Sequence, residues 1–241
     1  MSGPSDSAGV PWGGRELTGT GFDGDTGEAD AALASALAHP GAETSLMAAL
    51  SGARLLVPIV AEPVSLEESD GLVAEKQTDM AAVTLVAPDG QRALPVFTSL
   101  QSLAGWDAAA RPVPVTAARA AQAAVSERCD VIVIDVAGPA TVTLRPSMVW
   151  ALAQQRDWVP SHEDPVVARS VAAAVRPETA VRSHGIGPGE PAGQGILRIE
   201  LELEPGLGVQ DVQGIATRVG ERLATDGELR ARVDGLAFAI R

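Results

Sequence analysis

The stretch that decides the fold is Val131-Ile132-Val133-Ile134-Asp135-Val136, an apolar and mostly β-branched run with a single carboxylate. A continuous apolar run is typical of a strand buried on both faces, because a half-exposed strand would alternate apolar with polar residues. Helices are indicated on either side of it. Thr116 can cap an alanine-rich helix that runs to Arg128, and Pro146 occupies the favoured first position of another. A buried strand between helices predicts an α/β fold.

Strands are also predicted on the N-terminal side of this run. Arg54–Val60 is apolar, and Pro58 within it indicates a sheet edge or a bulge because proline has no N–H to donate. Ala82–Ala87 and Gln91–Thr98 lie on either side of Asp89-Gly90, a pair that favours the tight turn of a hairpin. With the helical segments between them, these strands predict an α/β (α+β) fold with a mixed sheet and flanking helices.

The composition changes along the chain and divides it into four parts. Residues 1–27 are rich in Gly, Ser, Asp and Thr and poor in large apolar groups, so they are expected to form a disordered tail. Residues 28–176 carry the predicted mixed sheet, and the Gly- and Pro-rich residues 177–195 are interpreted as a linker. Residues 196–241 predict a compact β-α-β unit that ends in the strand Leu236–Ile240. We expect this unit to pack on the main domain or on a copy of itself, which would form a homo-oligomer.

Charge and composition limit the classes of function. The chain has 31 acidic and 18 basic residues, a net charge of -13, and Lys76 is its only lysine. Such a field repels phosphate backbones and anionic lipid surfaces, so neither nucleic acid nor a membrane is expected as a partner. The N-terminus lacks a signal-peptide pattern and no apolar run is long enough to span a membrane, so a cytoplasmic location is expected. The single cysteine, Cys129, precedes the buried strand and is interpreted as a core residue.

The histidines do not form a metal-binding pattern. His39, His162 and His184 lie in three separate loop-like contexts, and no His or Cys pair has the spacing of a zinc site. Gly185–Gly189 resembles a nucleotide-binding loop only superficially, because no predicted strand precedes it and Pro188 interrupts it. Neither a metal nor another cofactor is therefore expected.

Three polar features are candidates for chemistry. Asp135 ends the buried strand, where α/β sheets bind ligands, although an aspartate there also serves as a turn or capping residue. The loop Glu75–Asp79 combines the only lysine with flanking carboxylates, and is either a surface ion pair or a recognition loop. His162 stands beside Glu163 at the start of a predicted helix, where acidic residues also complement the helix dipole. An enzyme requires such groups to converge in one concave pocket.

The aromatic residues suggest a binding surface instead. Aromatics make up only 3% of the chain, so its core is expected to be aliphatic. Trp is rarely fully buried and is enriched at binding surfaces, and Trp106 and Trp158 stand next to predicted loops. The alternative is that these rings close the ends of the core. The candidate partner surface comprises Phe97, Trp106, Trp158, Glu75, Lys76 and Asp79.

Several stretches resemble the SseB-like N-terminal domain as actinobacterial proteins carry it. The most specific is Pro95-Val96-Phe97-Thr98-Ser99, which precedes a short predicted helix. The other matching stretches are Glu75-Lys76-x-Thr78-Asp79-Met80-Ala81, Val83–Gly90, Ala93-Leu94, Arg111–Val115, Cys129-Asp130 and Trp150–Gln154. The resemblance covers roughly residues 30–175, and the unit at 196–241 is similar to the C-terminal part of such proteins. It implies an α/β fold, and it supplies neither an established activity nor catalytic residues.

Two hypotheses of function follow. The first is a non-catalytic, cytoplasmic protein-interaction or scaffold module whose partner is another protein. It is favoured by the acidic surface, the aromatics beside loops and the separate C-terminal unit. The alternative is a small-ligand sensor or an enzyme with a site around Asp135 and the 75–79 loop, and it requires those groups to meet in one pocket.

Overall fold

Two larger hydrophobic cores organise the described chain, and Leu56, Phe97 and Leu103 form a small third cluster. The structure, a computed structural model, describes residue 22 and residues 24–61 and 80–241. The larger core lies between Leu33 and Trp158, and the smaller lies between Val167 and Ile240. Helices flank mixed sheets in the described chain, which confirms the predicted α/β class.

The helices and strands are numbered in chain order. The helices are α1 Ala31–Leu37, α2 Glu43–Gly52, α3 Leu100–Trp106, α4 Ala117–Ser126, α5 Pro146–Ala153, α6 Pro165–Val175, α7 Val209–Thr225 and α8 Gly227–Arg230. The strands are β1 Arg54–Ala61, β2 Met80–Ala82, β3 Leu85–Val86, β4 Arg92–Val96, β5 Arg111–Thr116, β6 Val131–Ile134, β7 Val142–Leu144, β8 Val181–Pro188, β9 Ile196–Leu203 and β10 Gly235–Ile240.

Strand β6 occupies the position that its sequence predicts. The four-stranded sheet has the order β3-β4-β6-β7, with β6 parallel to β4 and antiparallel to β7. Ile132 and Ile134 are completely buried. Strands β3 and β4 form the predicted hairpin, and Gly90 adopts the positive φ of +89° that its turn requires.

The edge position expected for Pro58 is wrong. Strand β1 is the central strand of the sheet β2-β1-β5, and Pro58 lies directly opposite Pro112 of β5. The Pro58 carbonyl accepts a hydrogen bond from Val83 N at 3.2 Å, so the backbone of Pro58 faces away from β5. Strand β2 ends at Ala82, opposite Ile59, so the missing N–H falls just beyond the β1–β2 ladder.

Residues at the end of the predicted tail contact the main domain. Asp25 forms an ion pair with Arg54 at 2.8 Å, and the carbonyl of Gly27 accepts a hydrogen bond from Leu100 N at 2.8 Å. The side chain of Leu100 is exposed, whereas that of Leu103 is buried. Residues 1–21 and 23 of the predicted tail lie outside the described residues.

The C-terminal unit is larger than its sequence suggests. Strands β9 and β10 are parallel and are joined through α7, which confirms the predicted β-α-β unit. Residues 181–188, interpreted as linker, form β8 instead and pair antiparallel with β9. A Cβ on Gly187 would lie 3.2 Å from the Arg198 guanidinium, so glycine there makes room for that side chain. Helix α6 also belongs to this unit, because Val167 and Val171 lie in its core.

Candidate protein-interaction surface

Phe97 is a core residue rather than a surface anchor. Its backbone exchanges two hydrogen bonds of 2.8 Å with Leu56, and its side chain is 0% exposed. The ring packs against Trp106 with centroids 5.3 Å apart and planes tilted by 32°. Trp106 is half-buried, so it is the member of this pair that reaches the surface.

Trp158 is also buried, and the half-exposed ring expected from its loop context is wrong. It is 6% exposed, and its Nε1 donates a hydrogen bond to Ser147 Oγ at 3.3 Å. The Arg145 guanidinium lies over the ring, 5.9 Å from its centroid. The ring belongs to the larger hydrophobic core, where it lies beside the first turn of α5.

A polar junction around Asp234 joins the two cores. This aspartate precedes β10, and it accepts hydrogen bonds from Ser147 N at 2.7 Å, Ser147 Oγ at 2.8 Å and Arg145 Nε at 2.9 Å. Arg145 is the N-cap residue of α5 but makes no side-chain cap. Asp234 therefore caps α5 from the other unit.

The charge of Arg145 at this junction is paired with acidic side chains. Arg145 also binds Glu43 and donates to the carbonyl of Gly193 at 2.8 Å. Burial alone would lower the pKa of Arg145, but its bonds with Glu43 and Asp234 outweigh burial and raise that pKa. Gly195 lies against the Arg145–Asp234 pair and adopts a φ of +69°. A Cβ on Gly195 would lie 2.7 Å from Arg145 Nε. This part of the Gly-rich segment thus lets the chain pass over an ion pair.

His162 lines the cavity of about 120 Å³ beside this junction. Its Nε2 lies 3.5 Å from a Glu163 oxygen. Asp164 is buried, caps α6 by accepting from Val166 N at 2.7 Å, and pairs with Arg232 at 2.9 Å. Asp164 thus lies at the N-terminus of α6, where an acidic side chain complements the helix dipole.

Asp135 serves a turn at the end of β6. Its carboxylate accepts hydrogen bonds from Thr98 N at 2.9 Å and Thr98 Oγ1 at 2.7 Å, one on each oxygen. Asp135 adopts a φ of +49°, and its carbonyl accepts from Thr141 Oγ1 at 2.9 Å. It does not line the cavity beside His162, so the structure does not bring these two candidate residues together there. Glu75, Lys76 and Asp79 lie outside the described residues.

Two further findings concern the described part of the chain. It contains no group of three or more His, Cys, Asp or Glu residues placed to hold a metal ion. Among the helices described, none combines the length and the apolar character needed to cross a membrane.

A surface that the sequence analysis did not identify lies on the C-terminal unit. We call it the C-terminal edge, and it has two parts. The first is β10, which ends the sheet β10-β9-β8 and carries no charge from Gly235 to Ile240. The second is one flank of α7, formed by Val209, Gln213, Ala216, Gly220 and Ala224. A Cβ on Gly220 would lie 3.8 Å from the Phe238 ring, which places this flank beside β10.

The C-terminal edge is apolar and accessible. Val209 is 74% exposed and Leu236 is 36% exposed, while Phe238 and Ile240 are half-buried. The residues of the α7 flank recur at intervals of three and four, so they share one side of the helix. Two features of the sequence indicate this surface: the strand without charge and the spacing of uncharged residues along α7. Which side of β10 stays open depends on strand order, which the sequence does not reveal.

The opposite flank of α7 carries the charges. Arg218 and Arg222 bind the buried Glu178, at 2.6 Å and 2.8 Å. The hydrogen bond from Arg218 is the largest influence, and together with Arg222 it lowers the pKa of Glu178 to about 2. The two arginines of this helix are thus committed to the side that faces the loop after α6.

The fold and these surfaces describe an α/β protein with a mixed-sheet N-terminal domain and a smaller β-α-β unit. The SseB protein N-terminal domain matches residues 30–151, just over half of the chain, and the chain belongs to that family. Searches of curated proteins and of solved structures find no match. The family match spans α1 to α5, so the C-terminal edge lies outside it.

Proposed function

We propose that the chain is a non-catalytic protein-interaction module and that the C-terminal edge is its binding surface. The observation that carries this proposal is an open sheet edge without charge on a chain whose net charge is -13. Natural proteins protect exposed edges with charges, prolines or bulges, because an open edge pairs with other chains. An edge strand without these devices is the kind of surface to which an added strand binds.

The apolar side chains supply the second part of the argument. Val209 and Leu236 are among the exposed large hydrophobic residues of the described chain. A partner that covers them removes apolar area from water, at roughly 25 cal/mol per Å². Backbone pairing along β10 then supplies direction, and the side chains of alternate residues supply specificity.

A ligand sensor or enzyme around Asp135 draws no support from the geometry of that residue. Both carboxylate oxygens accept hydrogen bonds from Thr98, which is the arrangement of a turn-stabilising aspartate.

We propose a cytoplasmic location on the basis of the Cys129 thiol. Cys129 is buried and free, and a reducing compartment suits a chain without a disulfide partner. The acidic charge favours a protein over nucleic acid or a membrane as the partner.

The test compares capture of bound protein by the full chain and by edge variants. Leu236→Lys and Val209→Lys place a charge on each part of the C-terminal edge at exposed positions. Val86→Lys is the matched control, because Val86 is 64% exposed but lies on β3 of the other domain. We expect protein retained by the wild type and by Val86→Lys to be lost from both edge variants. Equal retention by all four chains contradicts the proposed surface.

A further inference from the structure

We infer that the C-terminal edge binds a second copy of this chain, with β10 pairing antiparallel to β10 of that copy. This inference rests on the proposed function and names the occupant of the same surface. The two-fold axis passes through Phe238. The result is a continuous six-stranded sheet, β8-β9-β10 followed by the same strands of the second copy in reverse order.

The direction of the β10 backbone supports this pairing. Arg241 N donates to Leu201 O at 3.0 Å, and Arg241 O accepts from Leu203 N at 2.9 Å, so residue 241 faces β9. Because successive residues of a strand point their N–H and C=O groups to opposite sides, the groups of Leu236, Phe238 and Ile240 face away from β9. Within the described chain, no other strand pairs with that side of β10.

These three residues define the register. In an antiparallel pair, a residue with both polar groups turned toward the neighbouring strand lies opposite another such residue. An axis through Phe238 therefore places Leu236 opposite Ile240 of the second copy, and Ile240 opposite its Leu236. All three outward-facing residues find partners in this register, and it sets no two like charges opposite each other.

The helix layer extends across the same axis. Beside β10, α7 presents Ala216 and Gly220, and residues this small allow close approach of another helix. A Cβ on Gly220 would lie 3.8 Å from the Phe238 ring, so the small-residue side of α7 and β10 lie next to each other. A bound peptide strand would cover β10 alone. A second copy brings both a strand and a helix, and so covers both layers.

Charge also favours this face for contact between copies. Two chains that each carry -13 repel one another, and the repulsion is least where neither presents a charge. The charged flank of α7 lies on the far side, where Arg218 and Arg222 bind Glu178. Asp234, which precedes β10, is bound to Ser147 and Arg145 and does not extend into the edge.

The other edge of the sheet is protected, so the assembly closes as a pair. Strand β8 has an irregular register between Val181 and Ser183, carries the exposed Arg182 and ends at Pro188. Irregular register, charge and proline each hinder strand addition. Because this sheet has one open edge in each copy, pairing through it gives a symmetric dimer rather than a filament.

The test measures the mass of the full chain by sedimentation over a range of concentrations. We expect the wild type to reach twice the chain mass, and Leu236→Lys and Ile240→Glu to remain monomeric when each is alone. Mixing the two variants should restore the dimer, because the lysine of one then faces the glutamate of the other. Val86→Lys serves as the control and should dimerise like the wild type. Circular dichroism checks folding, and Val209→Lys, exposed on α7, replaces any β10 variant that fails to fold.

Each result decides for or against the inference. A wild type that stays monomeric at every concentration overturns it, as do single variants that dimerise normally. Monomeric variants that do not recover on mixing overturn the proposed register. Failure of the inference is separable from failure of the proposed function. A monomeric chain that still captures another protein, and loses it in Leu236→Lys, retains the binding surface but not the second copy.

Discussion

Replacing Asp234 by alanine is expected to destabilise the protein by about 3 kcal/mol, because this side chain joins the two units. It is 7% exposed and accepts three hydrogen bonds, two from Ser147 and one from Arg145. Loss of a helix cap costs roughly 0.5–2 kcal/mol. Removing one member of a buried ion pair costs roughly 3–5 kcal/mol, reduced here because Glu43 remains bound to Arg145.

The assay is urea unfolding of the full chain, followed by far-ultraviolet circular dichroism. Asp234→Asn should lose about half as much free energy of unfolding, since the amide oxygen can still accept from Ser147 N while the charge is lost. Glu204→Ala is the control, because Glu204 is exposed and its contact with Arg182 is 3.8 Å long. A loss below about 0.5 kcal/mol for Asp234→Ala, equal to the control, refutes the junction as an energetic link.

Three further predictions concern packing and charge. Gly195→Ala should lower the thermal unfolding midpoint more than Gly193→Ala does. Both glycines have positive φ, but only Gly195 lies against the Arg145–Asp234 pair. Equal shifts of the midpoint in the two variants contradict this prediction. The pKa of Glu178 is lowered from 4.5 to about 2, so its stabilisation is complete above pH 4.5 and is lost as pH falls toward 2. Glu178→Gln should make the melting temperature less dependent on pH in this acidic range. Thermal melting at a series of pH values measures this, and a dependence equal to that of the wild type contradicts the prediction. Trp158→Ala should cost roughly 3–5 kcal/mol and Trp106→Ala less, and denaturant titration that reverses this order refutes the burial argument.

Local patterns were sufficient for most of the secondary structure. The continuous apolar run at Val131–Ile134 forms a buried central strand, and Thr116 caps α4 as its side chain predicts. These features depend on residues within one or two turns of each other, so the sequence carries them directly. The Gly-rich segment was misinterpreted as a linker because glycine has two uses. It loosens a free chain, but it also permits close approach, as Gly187 does beside Arg198.

The candidate site was harder to predict, since exposure is set by contacts between distant segments. Trp158 stands next to a predicted loop and is expected at the surface, but it is buried in the larger core and donates a hydrogen bond to Ser147 of α5. Asp234 caps a helix that begins 88 residues earlier, at Pro146, and no local pattern identifies such a cap. The sequence by itself determined the α/β class, the family and the strand at Leu236–Ile240. Only the tertiary structure decided that this strand lies at a sheet edge beside the uncharged flank of α7, because strand order depends on long-range pairing rather than on neighbouring residues.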